Sequence, residues 1–222
     1  MPVSCYILVP LVAYLLGSIP FGFLAARARG IDIRTVGSGN IGATNAMRVL
    51  GKPIGITVLL LDAFKGWFAC VAGAGLCAAL MSSGHAGLAL APEAQPSLDR
   101  LRVIAGVFAV LGHNYTCWLK FKGGKGIATT AGVYLALAPW PLLIAFAVFL
   151  LALTLSRYMS VGSMAGAVAL PAAVWFLTPH QVLLGVVTTA LGALAIYKHK
   201  SNIQRLRAGT ENRFGRKSGP AK

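Results

Sequence analysis

Apolar residues fill long, nearly unbroken runs, from about Val3 to Ala26, Pro53 to Leu80, Leu101 to Trp118, Ile127 to Leu155, Val161 to Leu177 and Gln181 to Tyr197. Between them lie short segments in which Lys, Arg, Gly and Asn gather. Runs of this length match the ~20 residues a helix needs to cross a bilayer. They are too long and too frequent for one aqueous core. The fourth run is interrupted by Ala138-Pro139-Trp140-Pro141. Proline lacks an N–H and its ring clashes with the preceding turn, so two so close together break a helix. The split predicts seven helices, the two halves being about 12 and 15 residues, or roughly 18 and 22 Å, short of the ~30 Å hydrocarbon core.

Charge fixes the expected topology. The loop from Arg27 to Lys52 and the tail from Lys198 to Lys222 are both basic, and the positive-inside rule places both in the cytoplasm. Seven helices satisfy this and six do not. The N-terminus then lies outside, Met81 to Arg100 lies outside, and Lys120 to Gly126, Ser156 to Ser160 and the tail lie inside. Ala26-Arg27-Ala28 has the form of a signal-peptide cleavage site, but Met1 to Cys5 carry no basic residue, which favours an uncleaved first span. The expected fold is an all-α, polytopic membrane helical bundle: seven transmembrane helices, two of them short, with cytoplasmic motif loops. Residues 1–200 form the membrane domain and 201–222 a basic tail. Short spans beside glycine-rich loops predict a site recessed from the inner surface, because irregular backbone at membrane depth must line a cavity or pack inside protein.

Composition agrees and adds one question. The 222 residues are 57% hydrophobic and 11% charged, with a mean hydropathy of +0.73. Twenty Lys and Arg against five Asp and Glu give a net charge of +15. Part of this is topology; the rest calls for anionic lipid headgroups or anionic substrates rather than nucleic acid. Cys5, Cys70, Cys77 and Cys117 show neither a CxxC pair nor metal-ligand spacing, and read as small packing residues.

Three constellations lie on the inner side. The first is Gly37-Ser38-Gly39-Asn40-Ile41-Gly42-Ala43-Thr44-Asn45-Ala46-Met47-Arg48. It satisfies GxGxxG, yet no βαβ unit surrounds it, so a dinucleotide fold is excluded. A helix starting near Asn40 and ending at Gly51 would point its positive end, and accessible loop amides, at an anion. Thr44, Asn45 and Arg48 would share one face; the plainer reading is a capped interfacial helix with Arg48 on lipid headgroups. The second constellation is Gly112-His113-Asn114-Tyr115 followed by Lys120-Phe121-Lys122-Gly123-Gly124-Lys125-Gly126. It is not a Walker loop, but a nest of N–H groups with a reaching lysine serves phosphate similarly. The third is Lys198-His199-Lys200-Ser201-Asn202-Ile203-Gln204-Arg205-Leu206, with Gly209-Thr210-Glu211 behind it. Helical spacing turns His199 and Asn202 inward and leaves Lys200 and Arg207 on an outer edge. Ser156, Ser160 and Ser163 flank the sixth span, and Asp62 and Lys65 form an i, i+3 pair inside the second, read as scaffold. His85 and His180 fall on the outer side.

Inner-side acids are limited to Asp32 and Glu211, too few for two-metal phosphoryl chemistry, and no metal or cofactor is expected. No GxSxG elbow is present, nor a His followed five residues later by Asp. A cationic, hydroxyl-rich pocket open to lipid suits transfer between an activated amphiphilic donor and a small anionic acceptor. An organic-phosphate transporter is the alternative; inverted repeats with broken helices, its usual signature, are not found in the sequence.

The segments GSGNIGATNAMR, GHNYTCWLKFKGGKG and HKSNIQRLRAGTE, with GSIPFG in the first span, closely resemble the bacterial acyl-phosphate:glycerol-3-phosphate acyltransferase family over nearly the whole chain. The resemblance implies fatty acyl transfer from acyl-phosphate to the 1-hydroxyl of sn-glycerol 3-phosphate, giving lysophosphatidic acid and phosphate, in the inner membrane of a bacterium. It places Ser38, Arg48, Lys125, Ser163, His199 and Asn202 at the substrates. The expected catalytic set is Lys125, Ser163, His199 and Asn202, and the expected binding set is Ser38, Gly39, Asn40, Gly42, Thr44, Asn45, Arg48, Gly123, Gly124, Lys200 and Arg205. The Ser38 to Gly42 amides and Lys125 would hold the donor phosphate, Arg48 and Asn202 the acceptor phosphate, and Ser163 would polarise an oxygen. The base is either His199 or the acceptor's own phosphate. Expected partners are the two substrates, membrane lipids and the soluble enzyme that makes acyl-phosphate.

Overall fold

The computed structural model describes residues 3–82 and 95–215. Residues 83–94, most of the expected outer segment and His85 with it, lie outside the described residues, as does the end of the tail. All regular structure among the described residues is helical.

The chain forms two compact units, residues 1–137 and 138–222. The first contains α1 (Val3–Ser18), α2 (Phe21–Arg27), α3 (Ala43–Leu50), α4 (Lys52–Ser82), α5 (Gln95–Asn114) and α6 (Ile127–Leu137). The second contains α7 (Pro139–Ser156), α8 (Met159–Leu177), α9 (Val182–Lys198) and α10 (Lys200–Arg207). Among the described residues, four stretches are long and apolar enough to cross a membrane, namely α1 with α2, α4, α7 and α8; counting the bent pair α9 and α10 as one span makes five.

The proline break is found where expected, with α6 ending at Leu137 and α7 starting at Pro139. Only one half is short, however. With 11 residues, α6 reaches ~16 Å, whereas the 18 residues of α7 reach ~27 Å. The expectation of two short spans is corrected to one, because prolines in the first turn of α7 occupy positions whose N–H groups have no intrahelical partner and so extend the helix backwards. Two further breaks were not anticipated. The first span is interrupted between Ser18 and Phe21, where Pro20 disfavours helical backbone at Ile19. The last span bends by 49° at His199.

The first unit is held by backbone-to-backbone approach. A methyl at Gly17 would collide with the Ala109 carbonyl, one at Gly112 with the Tyr14 carbonyl, and one at Gly132 with the Ala63 carbonyl. Small residues at crossings let helices associate in lipid, where the hydrophobic effect gives no help. Cys5, Val9, Ala13, Ala69, Leu98, Leu101, Ala105 and Ala109 form one buried cluster. Cys5 is not merely a packing residue: it is disulfide-bonded, while Cys70 and Cys117 are free thiols. In the second unit α8 packs on both α7 and α9.

Candidate active site

In the first motif loop, Asn45 is the organiser. It is 1% exposed, and its Nδ2 donates to the carbonyls of Ile33 (3.2 Å), Val36 (3.1 Å) and Asn40 (3.0 Å). Its Oδ1 accepts the Ser38 N–H at 2.9 Å. The Gly42 N–H donates to Asn40 Oδ1 at 2.8 Å and the Gly39 N–H to the Val36 carbonyl at 3.0 Å. Three of the amides in the expected cradle, the Ser38, Gly39 and Gly42 N–H groups, thus serve the loop itself. Asn45 does not share the outer face of α3 with Thr44 and Arg48 but turns into the core, because one amide answers both donors and acceptors of an irregular loop. Ser38, Asn40, Thr44 and Arg48 stay half-buried. At the loop's entrance Arg34 grips Asp32 through Nε (2.9 Å) and Nη2 (2.7 Å). The Arg34 side-chain hydrogen bonds, helped by its backbone N–H, bring the Asp32 carboxyl down to about 2.

The second motif loop is tied to the end of α5. The Gly123 N–H donates to the Asn114 carbonyl (3.2 Å) and the Gly124 N–H to that of His113 (3.0 Å). These two amides of the expected nest are also internally engaged. Gly124 lies so close to His113 Nε2 that no side chain fits. Gly126 sits at φ +80°, beside Asn114 Oδ1. Upstream, Lys120 and Phe121 both adopt left-handed backbone, φ 54° and 58°, a cost of roughly 1–2 kcal/mol each for L-residues. The Phe121 N–H donates to the Thr116 carbonyl (3.0 Å), and Thr116 Oγ1 to the Ser18 carbonyl (2.6 Å). Lys125 follows, half-buried.

These two loops meet. Leu119 is buried in one cluster with Ala26, Ile33, Ile41, Ala46 and Val58, so Ser38, Arg48 and Lys125 belong to one end of the first unit.

In the second unit the third motif is two helices rather than one continuous stripe. His199 caps both, is 2% exposed, and its Nδ1 lies 2.7 Å from the Ala195 carbonyl. A carbonyl only accepts, so Nδ1 carries the proton and the neutral ring has its lone pair on Nε2. Asn202 Nδ2 donates to Glu211 Oε1 (2.7 Å), Ser160 Oγ to the same oxygen (2.9 Å), and Arg205 Nε to Oε2 (2.7 Å). Burial opposes the Glu211 charge, but these three hydrogen bonds and the Arg205 charge outweigh it and hold the carboxyl below its usual range. Ser163, 8% exposed, lies one turn beyond Ser160 on the same face of α8. Arg205 is thus a partner of Glu211, and Lys200 is exposed with its Nζ 5.0 Å from the Tyr197 ring centroid. Glu211 was missed as a site residue; the signal available was a single acid in a strongly basic tail.

The glycerol-3-phosphate acyltransferase family model matches residues 7–209. The chain belongs to this family. A glycerol-3-phosphate acyltransferase of Geobacter metallireducens is 49% identical over 202 residues, covering 91% of this chain and 94% of the relative. One from Desulforamulus reducens is 45% identical over 207 residues, covering 92% and 93%. Among solved structures, PlsY, an integral membrane glycerol 3-phosphate acyltransferase, in its glycerol 3-phosphate form is 36% identical, with 96% of both chains covered and a TM-score of 0.78. Its lysophosphatidic acid form gives 0.76. The resemblance carried by the three motifs is confirmed, and with it an integral membrane acyltransferase. For a glycerol-3-phosphate acyltransferase built this way, Asn45→Ala is expected to lower kcat/KM about 10- to 100-fold by loosening the loop that carries Ser38 and Arg48. Circular dichroism and detergent gel filtration should remain as in wild type.

Proposed function

We propose that this chain transfers a fatty acyl group from acyl-phosphate to the 1-hydroxyl of sn-glycerol 3-phosphate, releasing lysophosphatidic acid and phosphate, the first step of phospholipid synthesis. The observation that carries the reading is the agreement, over 96% of both chains, with the glycerol 3-phosphate and lysophosphatidic acid forms of PlsY. An activated donor is supported by the residues themselves. Asp32 and Glu211 are each paired with an arginine, so what the motifs otherwise offer is cations, hydroxyls and amides, groups that bind anions and stabilise charge rather than supply chemical activation. Acyl-phosphate is a mixed anhydride and needs only charge stabilisation and proton removal.

In this reaction the acceptor hydroxyl oxygen attacks the acyl carbonyl carbon, the carbon–oxygen bond to phosphate breaks, and phosphate leaves with the electron pair. With those loop amides occupied, side chains are assigned to the phosphates: in the first unit the Lys125 ammonium and Ser38 hydroxyl to the donor and the Arg48 guanidinium to the acceptor, and in the second unit the Asn202 amide as a substrate contact. Asn40 and Thr44 are secondary contacts. Ser163 polarises an oxygen, and His199 Nε2 accepts the hydroxyl proton. Asn45 and Arg205 shape the loops that carry these groups, and Lys200 meets the lipid headgroups.

The topology that fits is seven spans with the N-terminus outside and the three motif loops in the cytoplasm, where the soluble enzyme making acyl-phosphate would deliver it. The Cys5 disulfide supports this orientation, since disulfides persist in the oxidising periplasm and not in the cytosol. The test is purified protein in detergent with acyl-phosphate and labelled glycerol 3-phosphate. Stoichiometric lysophosphatidic acid and phosphate are expected. Protein-dependent uptake of label into vesicles without product would replace the enzyme by a transporter.

A further inference from the structure

Acyl transfer as proposed leaves most of the charge of the second unit without a task. Its Lys and Arg residues stand at 157 and between 198 and 222, against a single side-chain carboxylate, Glu211. Arg205 takes that carboxylate at 2.7 Å. The other acids among the described residues are taken in the same way, Asp32 by Arg34, Asp62 by Lys65 and Asp99 by Arg102. The surplus is left for anions from outside the chain.

Two of these cations are seated on rings. Lys200 Nζ stands 5.0 Å from the Tyr197 ring centroid. The Arg213 guanidinium stands 5.6 Å from the Tyr158 ring centroid, and its Nε donates to Tyr158 Oη at 3.1 Å. The next residue, Phe214, donates its N–H to the Arg157 carbonyl at 2.6 Å. Ser160 at the start of α8 and Asn202 in α10 both donate to Glu211 Oε1, so residues 211–214 strap the α7–α8 corner to α10 at one end of the unit. Lys200, Arg207 and Arg213 are exposed there, and so are Leu155 (78%), Tyr197 (58%) and Phe214 (51%). Lys200 and Arg207 share the outer face of α10 at i, i+7, and α10 leaves the line of α9 by 49°. The positive-inside rule asks only for charge on one side. It does not ask for cations held on rings, which have already given up rotamer freedom and so bind an anion with less further ordering. A soluble anion has no use for the exposed apolar groups. A phospholipid uses both, its phosphate on the cations and its chains against the rings.

We propose that Lys200, Arg207 and Arg213 form a site for the headgroups of acidic phospholipids in the surrounding bilayer, with Tyr197 and Phe214 at the level of the acyl chains. A headgroup on Arg213 holds the 211–214 strap, and through Glu211 the strap holds Asn202, so turnover rises with the acidic lipid content of the membrane. The effect on turnover rests on the acyl-transfer reading; the headgroup site does not.

The test compares full-length wild type with the Arg207→Gln/Arg213→Gln double variant in two kinds of nanodisc, phosphatidylcholine alone and phosphatidylcholine with about one third phosphatidylglycerol. Native mass spectrometry counts the lipids retained from the mixed discs. Each Lys or Arg at an acidic surface contributes about fivefold in binding. Wild type is expected to retain phosphatidylglycerol about 10-fold or more above its share, and the double variant within about twofold of its share. The wild-type kcat is expected to be about threefold or more higher in the mixed discs, and that ratio should fall to about one in the double variant or in about 0.5 M salt. A merely structural loss would lower both rates and leave their ratio alone. No enrichment in wild type, enrichment that survives the double substitution, or capture of added lysophosphatidic acid in place of phosphatidylglycerol would overturn the site. Enrichment with a kcat indifferent to lipid would overturn its link to the strap. Should the double variant fail to insert, wild-type enrichment that resists salt overturns the site and enrichment lost in salt supports it. Enrichment with no lysophosphatidic acid formed in any disc supports the headgroup site and removes the acyl-transfer reading instead.

Discussion

Glu211→Ala is expected to abolish most of the activity, with a loss of at least about 100-fold in kcat/KM, and to lower the thermal midpoint of the purified protein. Glu211 is the acceptor for Ser160, Asn202 and Arg205. Hydrogen bonds to a charged group contribute about 1.5–3 kcal/mol each, and removing one member of a buried pair leaves the other uncompensated. Asn202 and Ser160 lose their fixed orientation, and the return of the chain onto α8 loses its anchor. Glu211→Gln keeps the shape and one acceptor oxygen, so it should retain more stability than Glu211→Ala. The pH dependence has a definite sign. Because the folded carboxyl sits below its ordinary value near 4.5, its stabilisation is present above about that pH and fades as pH falls through the lower folded value. Wild type should lose stability in acid, and the Glu211→Gln protein should show less of that loss. A thermal-shift series against pH on both proteins checks it; parallel curves would show that Glu211 is not the group responsible.

The long apolar runs, the proline break at Ala138 and the three motifs were legible because each is local: a run length, a missing N–H, a cluster of glycine and cation. The break at His199 was not, and it matters more. Helical spacing assigns a face only while the i to i+4 ladder continues, and the 49° bend ends it; His199 and Asn202 are buried as expected, but through a corner and a carboxylate rather than a stripe. Asn45 was read from its spacing to Arg48, while its contacts run backwards to Ile33 and Val36 across an irregular loop that no period describes. Glycine-rich spacing alone suggests open amides. The five N–H groups of Ser38, Gly39, Gly42, Gly123 and Gly124 instead close the loops on themselves, because backbone recessed into a membrane protein must satisfy its own donors. On the proposed acyl-transfer reading, phosphate recognition then falls to side chains, with Ser38, Arg48 and Lys125 assigned to it.

His199→Gln is expected to lower kcat about 10²- to 10⁴-fold, the range a general base supplies, with little change in either KM. The tautomer decides which ring nitrogen can act as a base. The Ala195 carbonyl lies 2.7 Å from Nδ1, which commits that nitrogen to donation and leaves the lone pair of the neutral ring on Nε2. Glutamine can keep the donor to Ala195 but offers an amide oxygen, far too weak a base to accept a proton at neutral pH. In wild type, kcat should therefore fall with acidification as the imidazole protonates, and in His199→Gln that limb should vanish from the pH profile. The competing proton acceptor is the phosphate of glycerol 3-phosphate, whose second ionisation also falls near neutrality. It makes the opposite prediction, because the limb then belongs to the substrate and survives the substitution. A variant turning over near the wild-type rate with its acid limb intact would assign the proton to the substrate and leave His199 as the corner that orients Asn202. A slow, pH-flat variant that still binds glycerol 3-phosphate normally assigns it to Nε2.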